Sequence, residues 1–92
     1  MREIIYTTMG DVMKVKDAVA QRFMELCKQK GITINELANI SGVTASSVYS
    51  MLDFQRREVS ITLIKKLCDG LEISLKDFFT GVIFDALEQE IQ

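Results

Sequence analysis

Apolar residues recur along most of this chain at spacings of three and four, the pattern typical of helices with one buried face. Four segments also share one local arrangement: a branched aliphatic residue, then a hydroxyl residue, then a large apolar residue four positions later. The four hydroxyl residues are Thr33, Thr44, Ser60 and Ser74. A hydroxyl at the N-cap accepts a hydrogen bond from a free N–H of the first turn, while the flanking apolar pair fixes the entering chain. Each arrangement therefore predicts a helix start.

Together with a longer first helix, these starts predict five helices. They run from about Asp11 or Lys14 to Lys30, then over roughly Ile34 to Ser41, Ala45 to Leu52, Ile61 to Asp69, and Ser74 to Phe79. Glycines directly after three of them, Gly31, Gly42 and Gly70, are expected as C-terminal stops. The residues expected on the buried faces include Val15, Val19, Phe23, Leu37, Ala38, Ile40, Val48, Met51, Leu52, Ile61, Ile64 and Leu67.

Two of the predicted starts are unusually close together. Thr33 and Thr44 lie eleven residues apart, with Gly42 between them. This spacing leaves room for two short helices joined by a very tight turn, the layout of a helix-turn-helix.

The two ends of the chain allow two interpretations. Residues 3–7 and Val82 to Phe84 are rich in β-branched and aromatic residues and could pair as short strands. Alternatively, Phe84, Leu87 and Ile91 suit one face of a final helix. Under either interpretation, exposed apolar ends on a small domain favour dimerisation through one or both termini.

Composition excludes several classes of protein. A chain of 92 residues with 48% hydrophobic and 26% charged residues is expected to form one small globular domain. It has no apolar run of about 20 residues and no signal-peptide pattern, which predicts a cytoplasmic protein without a membrane partner. Cys27 and Cys68 fall within helical apolar patterns and the chain has no His, so we expect reduced, buried thiols and no metal site. No glycine-rich phosphate loop or activated nucleophile is present, so we expect neither an enzyme nor a cofactor.

The charge is unevenly distributed although the net charge is only -2. Residues 14–66 carry nine basic and five acidic residues, whereas residues 67–92 carry one basic and six acidic residues. A positive middle between acidic ends can present one basic face to phosphate groups. The same distribution also suits an ordinary solvated mixed surface, so charge alone does not decide between them.

Residues 15–79 resemble the lambda-repressor-like (Cro-type, Xre) helix-turn-helix family. The matching residues, in order, are Arg22, Gly31-Ile32-Thr33, Glu36-Leu37-Ala38, Gly42-Val43-Thr44, Val48, and Leu71 with Ile73-Ser74. The resemblance implies an all-α, five-helix fold whose partner is double-stranded DNA, with the third helix in the major groove and the second crossing the backbone. It divides the chain into an N-terminal extension (1–13), a helix-turn-helix DNA-binding domain (14–80) and a C-terminal tail (81–92).

The resemblance also implies the residues that contact DNA. The expected base contacts are Ala45, Ser46, Tyr49 and Ser50. The expected phosphate contacts are the helix-start hydroxyls Thr33, Thr44 and Ser47, and the loop residues Gln55, Arg56 and Arg57. Both short helices begin with unpaired N–H groups and a positive dipole end, which independently suit a phosphate oxygen.

Three departures from the family pattern change these expectations. Ile34 stands where relatives often have a phosphate-binding Gln, and Cys27 and Leu52 replace a frequent Arg–Glu pair. The short side chains of Ala45 and Ser46 cannot make bidentate base contacts, so modest direct readout with shape-dependent discrimination is expected. The resulting hypothesis is a homodimeric transcriptional regulator of bacterial or phage type, with repression as its expected mode. The alternative is a protein-interaction module, such as an antitoxin or adaptor, on the same fold.

Overall fold

The computed structural model describes residues 13–53, 55–56, 58–87 and 91. It contains the α-helices α1 (Val15–Lys30), α2 (Ile34–Ser41), α3 (Ala45–Leu52), α4 (Ile61–Leu71) and α5 (Leu75–Phe79), followed by a 3₁₀ helix (Val82–Ala86). The only β-type pairing among these residues is an isolated parallel bridge between Met13 and Leu87. The all-α, five-helix prediction is therefore confirmed.

The hydroxyl pattern identified all four helix starts correctly. Thr33, Thr44, Ser60 and Ser74 are the N-caps of α2 to α5. In each, the hydroxyl oxygen accepts a hydrogen bond from the backbone N–H three residues later, at 2.9–3.2 Å. Because these bonds depend only on nearby residues, local sequence was sufficient to predict them.

The predicted glycine stops are right for two helices and wrong for the third. Gly31 and Gly42 end α1 and α2 in the left-handed region, with φ of 69° and 71°. Helix α4 instead continues through Gly70 to Leu71, and Glu72 takes the left-handed conformation at its end. Gly70 faces α2, where a Cβ atom would lie 2.1 Å from Ser41 Oγ. The glycine is thus required by close helix packing and does not terminate the helix.

All five helices contribute to one hydrophobic core. Its fully buried members include Phe23 of α1, Leu37 of α2, Val48 of α3, Leu67 of α4 and Phe78 of α5. The ring centroids of Phe23 and Phe78 lie 4.4 Å apart, so α5 packs against α1 within this core.

Three residues predicted to be buried are largely exposed. Val15, Ile40 and Ile61 expose 42%, 53% and 60% of their surface. Val15 and Ile61 lie in first turns, at the edge of a groove between α1 and α4. Ile40 precedes Ser41, and it is Ser41 that meets Gly70 at the contact with α4. Apolar periodicity therefore identified the buried face of each helix but included residues at its edges that are exposed.

The C-terminal segment forms a 3₁₀ helix where a short strand was one of the two predictions. Val82 to Phe84 belong to the 3₁₀ helix, so the strand interpretation is wrong for these residues, while residues 3–7 lie outside the described part of the chain. The Phe84 ring packs 5.7 Å from that of Phe78 and extends the core. Within the described residues, no helix combines the length and apolar character needed to cross a bilayer.

Candidate nucleic-acid interface

Helices α2 and α3 form a compact corner with one uncovered side. Gly42 N–H and Val43 N–H donate to the carbonyl oxygens of Asn39 and Ala38, at 3.3 and 3.1 Å, and close the turn between the helices. Ala38 and Val48 are buried where the helices pack on the core. The opposite side of α3 exposes Ser46, Ser47, Tyr49 and Ser50. The corner therefore leaves a polar helix face open to a partner.

The start of α3 carries a cluster of hydroxyl groups, which we call the hydroxyl cluster: Thr44, Ser46 and Ser47. Thr44 Oγ1 lies 3.2 Å from Ser46 Oγ and 2.9 Å from Ser47 Oγ, and it accepts a hydrogen bond from Ser47 N–H. The first turn of α3 contains no acidic residue. A positive helix end with hydroxyl donors and no carboxylate suits a phosphate oxygen.

The start of α2 has a different chemical character. Thr33 and Glu36 form a reciprocal capping box, in which Glu36 Oε1 accepts from Thr33 N–H at 2.7 Å and Thr33 Oγ1 accepts from Glu36 N–H at 3.0 Å. Two donors of this helix end are thereby satisfied, and a carboxylate occupies its positive end. The two helix starts are thus unequal sites for an anion, although the sequence suggested that both were suitable.

Of the four expected base contacts, three side chains are exposed and one is not. Ser46, Tyr49 and Ser50 are exposed, with Tyr49 at 52%. Ala45 is half-buried and packs against the core. Its methyl group also lines a shallow cleft between α2 and α3, which leaves it less surface for base contact than the sequence suggested.

The same cleft contains two residues that the sequence interpretation missed. Asn35 and Asn39 are exposed, lie one helical turn apart on α2 and line the cleft beside Ala45. Carboxamides can donate hydrogen bonds to phosphate oxygens. Their spacing of four on the outer face of the second helix was a signal present in the sequence.

After α3, Gln55 and Arg56 are held by hydrogen bonds to Asp53. The Asp53 carbonyl oxygen accepts from Arg56 N–H at 2.9 Å, and the Asp53 carboxylate Oδ1 accepts from Gln55 N–H at 2.9 Å. The side chains of Gln55 and Arg56 are exposed. Arg57, the third expected loop contact, lies outside the described residues.

Two of the basic residues in the positive middle region do not contribute to an exposed basic face. Lys16 is only 2% exposed. The Arg22 side chain donates to the carbonyl oxygens of Phe78 and Asp77 at 2.8 and 3.1 Å, and pairs with Glu25. Arg22, one of the residues that carried the family resemblance, thus holds the end of α5. The basic face is smaller than the sequence count suggested.

The two cysteines are free and buried, as predicted. Burial raises the pKa of the Cys68 thiol to about 11 and also raises the pKa of Cys27. Both thiols therefore stay protonated and unreactive near neutral pH.

The fold and the corner define a helix-turn-helix protein, and the chain belongs to the family of Cro/C1-type HTH DNA-binding domains, whose model matches residues 22–82. It is similar to the SPbeta prophage-derived uncharacterized HTH-type transcriptional regulator YopS of Bacillus subtilis (strain 168), with 31% identity over 55 residues, 60% of this chain and 74% of that protein. Its structure is also similar to the crystal structure of the prophage Lp1 protein 11, with a TM-score of 0.69 and 37% identity over 75% of this chain and 92% of the other.

Proposed function

We propose that this chain regulates transcription by binding duplex DNA with α3 in the major groove, as a homodimer that represses by occupying an operator. The observation that carries the proposal is the uncovered face of α3, which begins at the hydroxyl cluster and has no acidic residue in its first turn. The similarity to a prophage-derived transcriptional regulator supports the regulatory role.

The proposed contacts combine the exposure of the described residues with side-chain chemistry and, for Arg57, with its place in the sequence. Ser46, Tyr49 and Ser50 read base edges, with the Ala45 methyl group near a thymine methyl at the rim of the cleft. Thr44 and Ser47 hold one backbone phosphate through the hydroxyl cluster. Gln55, Arg56 and Arg57 contact a second stretch of backbone, and Thr33 with the Asn35 amide contacts the strand that α2 crosses.

Homodimer formation would place two α3 helices in successive major grooves, about 34 Å apart. Val82 and Ile91, exposed by 82% and 78%, support an interface through this segment because they are large apolar side chains left open to solvent. Sedimentation of the free chain and of a Val82→Glu variant tests this part: the variant should shift toward the monomer.

The DNA-binding proposal is tested by titrating fluorescent duplexes, selected from pooled host regulatory DNA, over a range of salt concentrations. Arg56→Ala should weaken binding to all sequences. It should also make the slope of log affinity against log salt concentration less steep by about one, the change expected when one phosphate contact is lost. Lys76→Ala, which removes the same charge from α5, serves as the matched control. Ser46→Ala should change sequence preference instead. Failure to select any fragment, or binding that is insensitive to salt, would defeat the proposal.

A protein-interaction module is the second candidate. It is favoured by the same exposed Val82 and Ile91 next to an acidic C-terminal region, and by the short side chains of the α3 face. An antitoxin or adaptor with this function would select no DNA fragment in the titration above.

A further inference from the structure

Lys16 is a buried lysine whose hydrogen-bond acceptor lies at the end of α3, the helix proposed to enter the major groove. It lies in the first turn of α1 and is 2% exposed. Its ammonium group donates a hydrogen bond to the carbonyl oxygen of Asp53, the residue that follows α3. The last carbonyl groups of a helix lack intrahelical partners and form its negative end, where a cation is stabilising. The lysine therefore ties α1 to the C-terminal end of α3.

The acceptor of Lys16 also organises the loop that carries the proposed phosphate contacts. The Asp53 carbonyl oxygen accepts a second hydrogen bond, from Arg56 N–H, while the Asp53 carboxylate accepts one from Gln55 N–H. A shift of this carbonyl group would move the first residues of the loop and the end of α3 together. Lys16 thus acts on the geometry of both.

The acceptor of Lys16 is a main-chain atom. Its hydrogen bond joins α1 to the residue that follows α3 through a backbone carbonyl group and not through a carboxylate. A backbone acceptor fixes the main chain of the loop directly.

We infer that Lys16 is a positioning residue for DNA binding: it sets the end of α3 and the start of the loop so that Arg56 meets a backbone phosphate. Its burial excludes a phosphate contact of its own. The inference rests on the proposed function, because it assigns a support to the same DNA-binding site.

The test compares Lys16→Met with Lys28→Met in the full chain, at a temperature well below both melting transitions. Lys28 is exposed on the same helix, so both variants lose one charge but only Lys16→Met breaks the bond to Asp53. We expect Lys16→Met to bind DNA about five- to tenfold more weakly than Lys28→Met, in line with coupling through a packed network. In Lys16→Met, the amide hydrogen of Arg56 should also exchange faster.

A double-mutant cycle separates positioning from general stability. If Lys16 acts through the loop, Lys16→Met should have little effect on affinity in an Arg56→Ala background. Equal affinities of Lys16→Met and Lys28→Met, or the same loss in both Arg56 backgrounds, would overturn the inference while leaving the proposed function intact. Lys16→Gln is the second variant if Lys16→Met does not fold. Absence of DNA binding by the wild-type chain would overturn both.

Discussion

Helices α2 and α3 have the same length and begin with the same threonine cap, but they differ in what surrounds their ends. Each has eight residues, and each cap hydroxyl accepts from the N–H three positions later. At the third position of the helix, α2 has Glu36 and α3 has Ser47. Glu36 closes a capping box and places a carboxylate at the start of α2, whereas Ser47 adds a hydroxyl group to the hydroxyl cluster at the start of α3.

Their C-terminal ends differ as well. Helix α2 ends at a left-handed glycine, with Ser41 pressed against Gly70 of α4. Helix α3 ends at Asp53, whose carbonyl oxygen receives the Lys16 ammonium group. Helix α2 is thus capped by its own Glu36 and packed against α4, whereas α3 exposes a polar face and has hydroxyl groups but no carboxylate at its start. The same local start signal forms a helix in both cases, while the third residue of the helix decides whether a carboxylate or a hydroxyl group lies at its start.

Converting the start of α3 into that of α2 should have the largest effect. Ser47→Glu places a carboxylate where it can complete a capping box with Thr44, so we expect melting temperature to be kept or raised. DNA affinity should fall by about tenfold or more, because the added charge repels a phosphate nearby. Ser47→Gln, which can form the box without the charge, is the control. Binding titrations at fixed salt check this, and unchanged affinity of Ser47→Glu would contradict the proposed phosphate contact.

Breaking the contact that holds α2 should reduce stability. Gly70→Ala gains helix propensity of about 1 kcal/mol, but the new methyl group overlaps Ser41, and overpacking costs of about 1–3 kcal/mol lead us to expect net destabilisation. Urea unfolding measures the free energy of unfolding. The Ser41→Ala/Gly70→Ala double variant should recover part of the loss, because it removes the nearest overlapping atom. A more stable Gly70→Ala protein would show that α2 and α4 can separate without cost.

Removing each threonine cap tests whether the starts of α2 and α3 contribute equally to stability but unequally to DNA binding. Thr33→Ala and Thr44→Ala should each cost about 1 kcal/mol of stability, or roughly 4–8 °C in melting temperature for a domain of this size. DNA affinity, measured well below melting, should fall further for Thr44→Ala because only α3 has the hydroxyl cluster. Equal losses of affinity would remove the distinction between the two starts.

The smallest effect is expected from removing the charge at the start of α2. In Glu36→Gln, the side-chain carbonyl can still accept from Thr33 N–H, so stability should change little. DNA affinity should rise by about two- to threefold at low salt, because a carboxylate near the crossed backbone disappears. Glu25→Gln on α1 is the control for net charge. No gain beyond this control would place the start of α2 away from the phosphates.

Local sequence predicted the elements of this fold well. The four caps and the glycine ends of α1 and α2 were identified because their bonds join residues at most five positions apart. The sequence failed where distant residues meet. The local pattern predicts a stop at Gly70 because the residue that packs against it, Ser41, is 29 positions away in the chain. The charge distribution places Lys16 in the basic middle region because nothing near it in sequence reveals its acceptor, the Asp53 carbonyl group, 37 positions away.

The candidate site divides in the same way. The polar face of α3 follows from the predicted burial of Val48, Met51 and Leu52, which leaves the serines and Tyr49 on the opposite side. The partial burial of Ala45, the cleft beside Asn35 and the engagement of Arg22 depend on how helices pack, which spacing does not specify.

By itself, the sequence determined where the helices begin, that they pack into one all-α domain, and that α2 and α3 form a tight corner. Caps, turns and apolar periodicity involve residues within one or two helical turns of each other, so they can be predicted from the sequence. Only the tertiary structure decided which charged side chains are exposed and which bind backbone carbonyl groups inside the domain. Burial and hydrogen bonding of a long side chain depend on partners that the packing of other helices brings close.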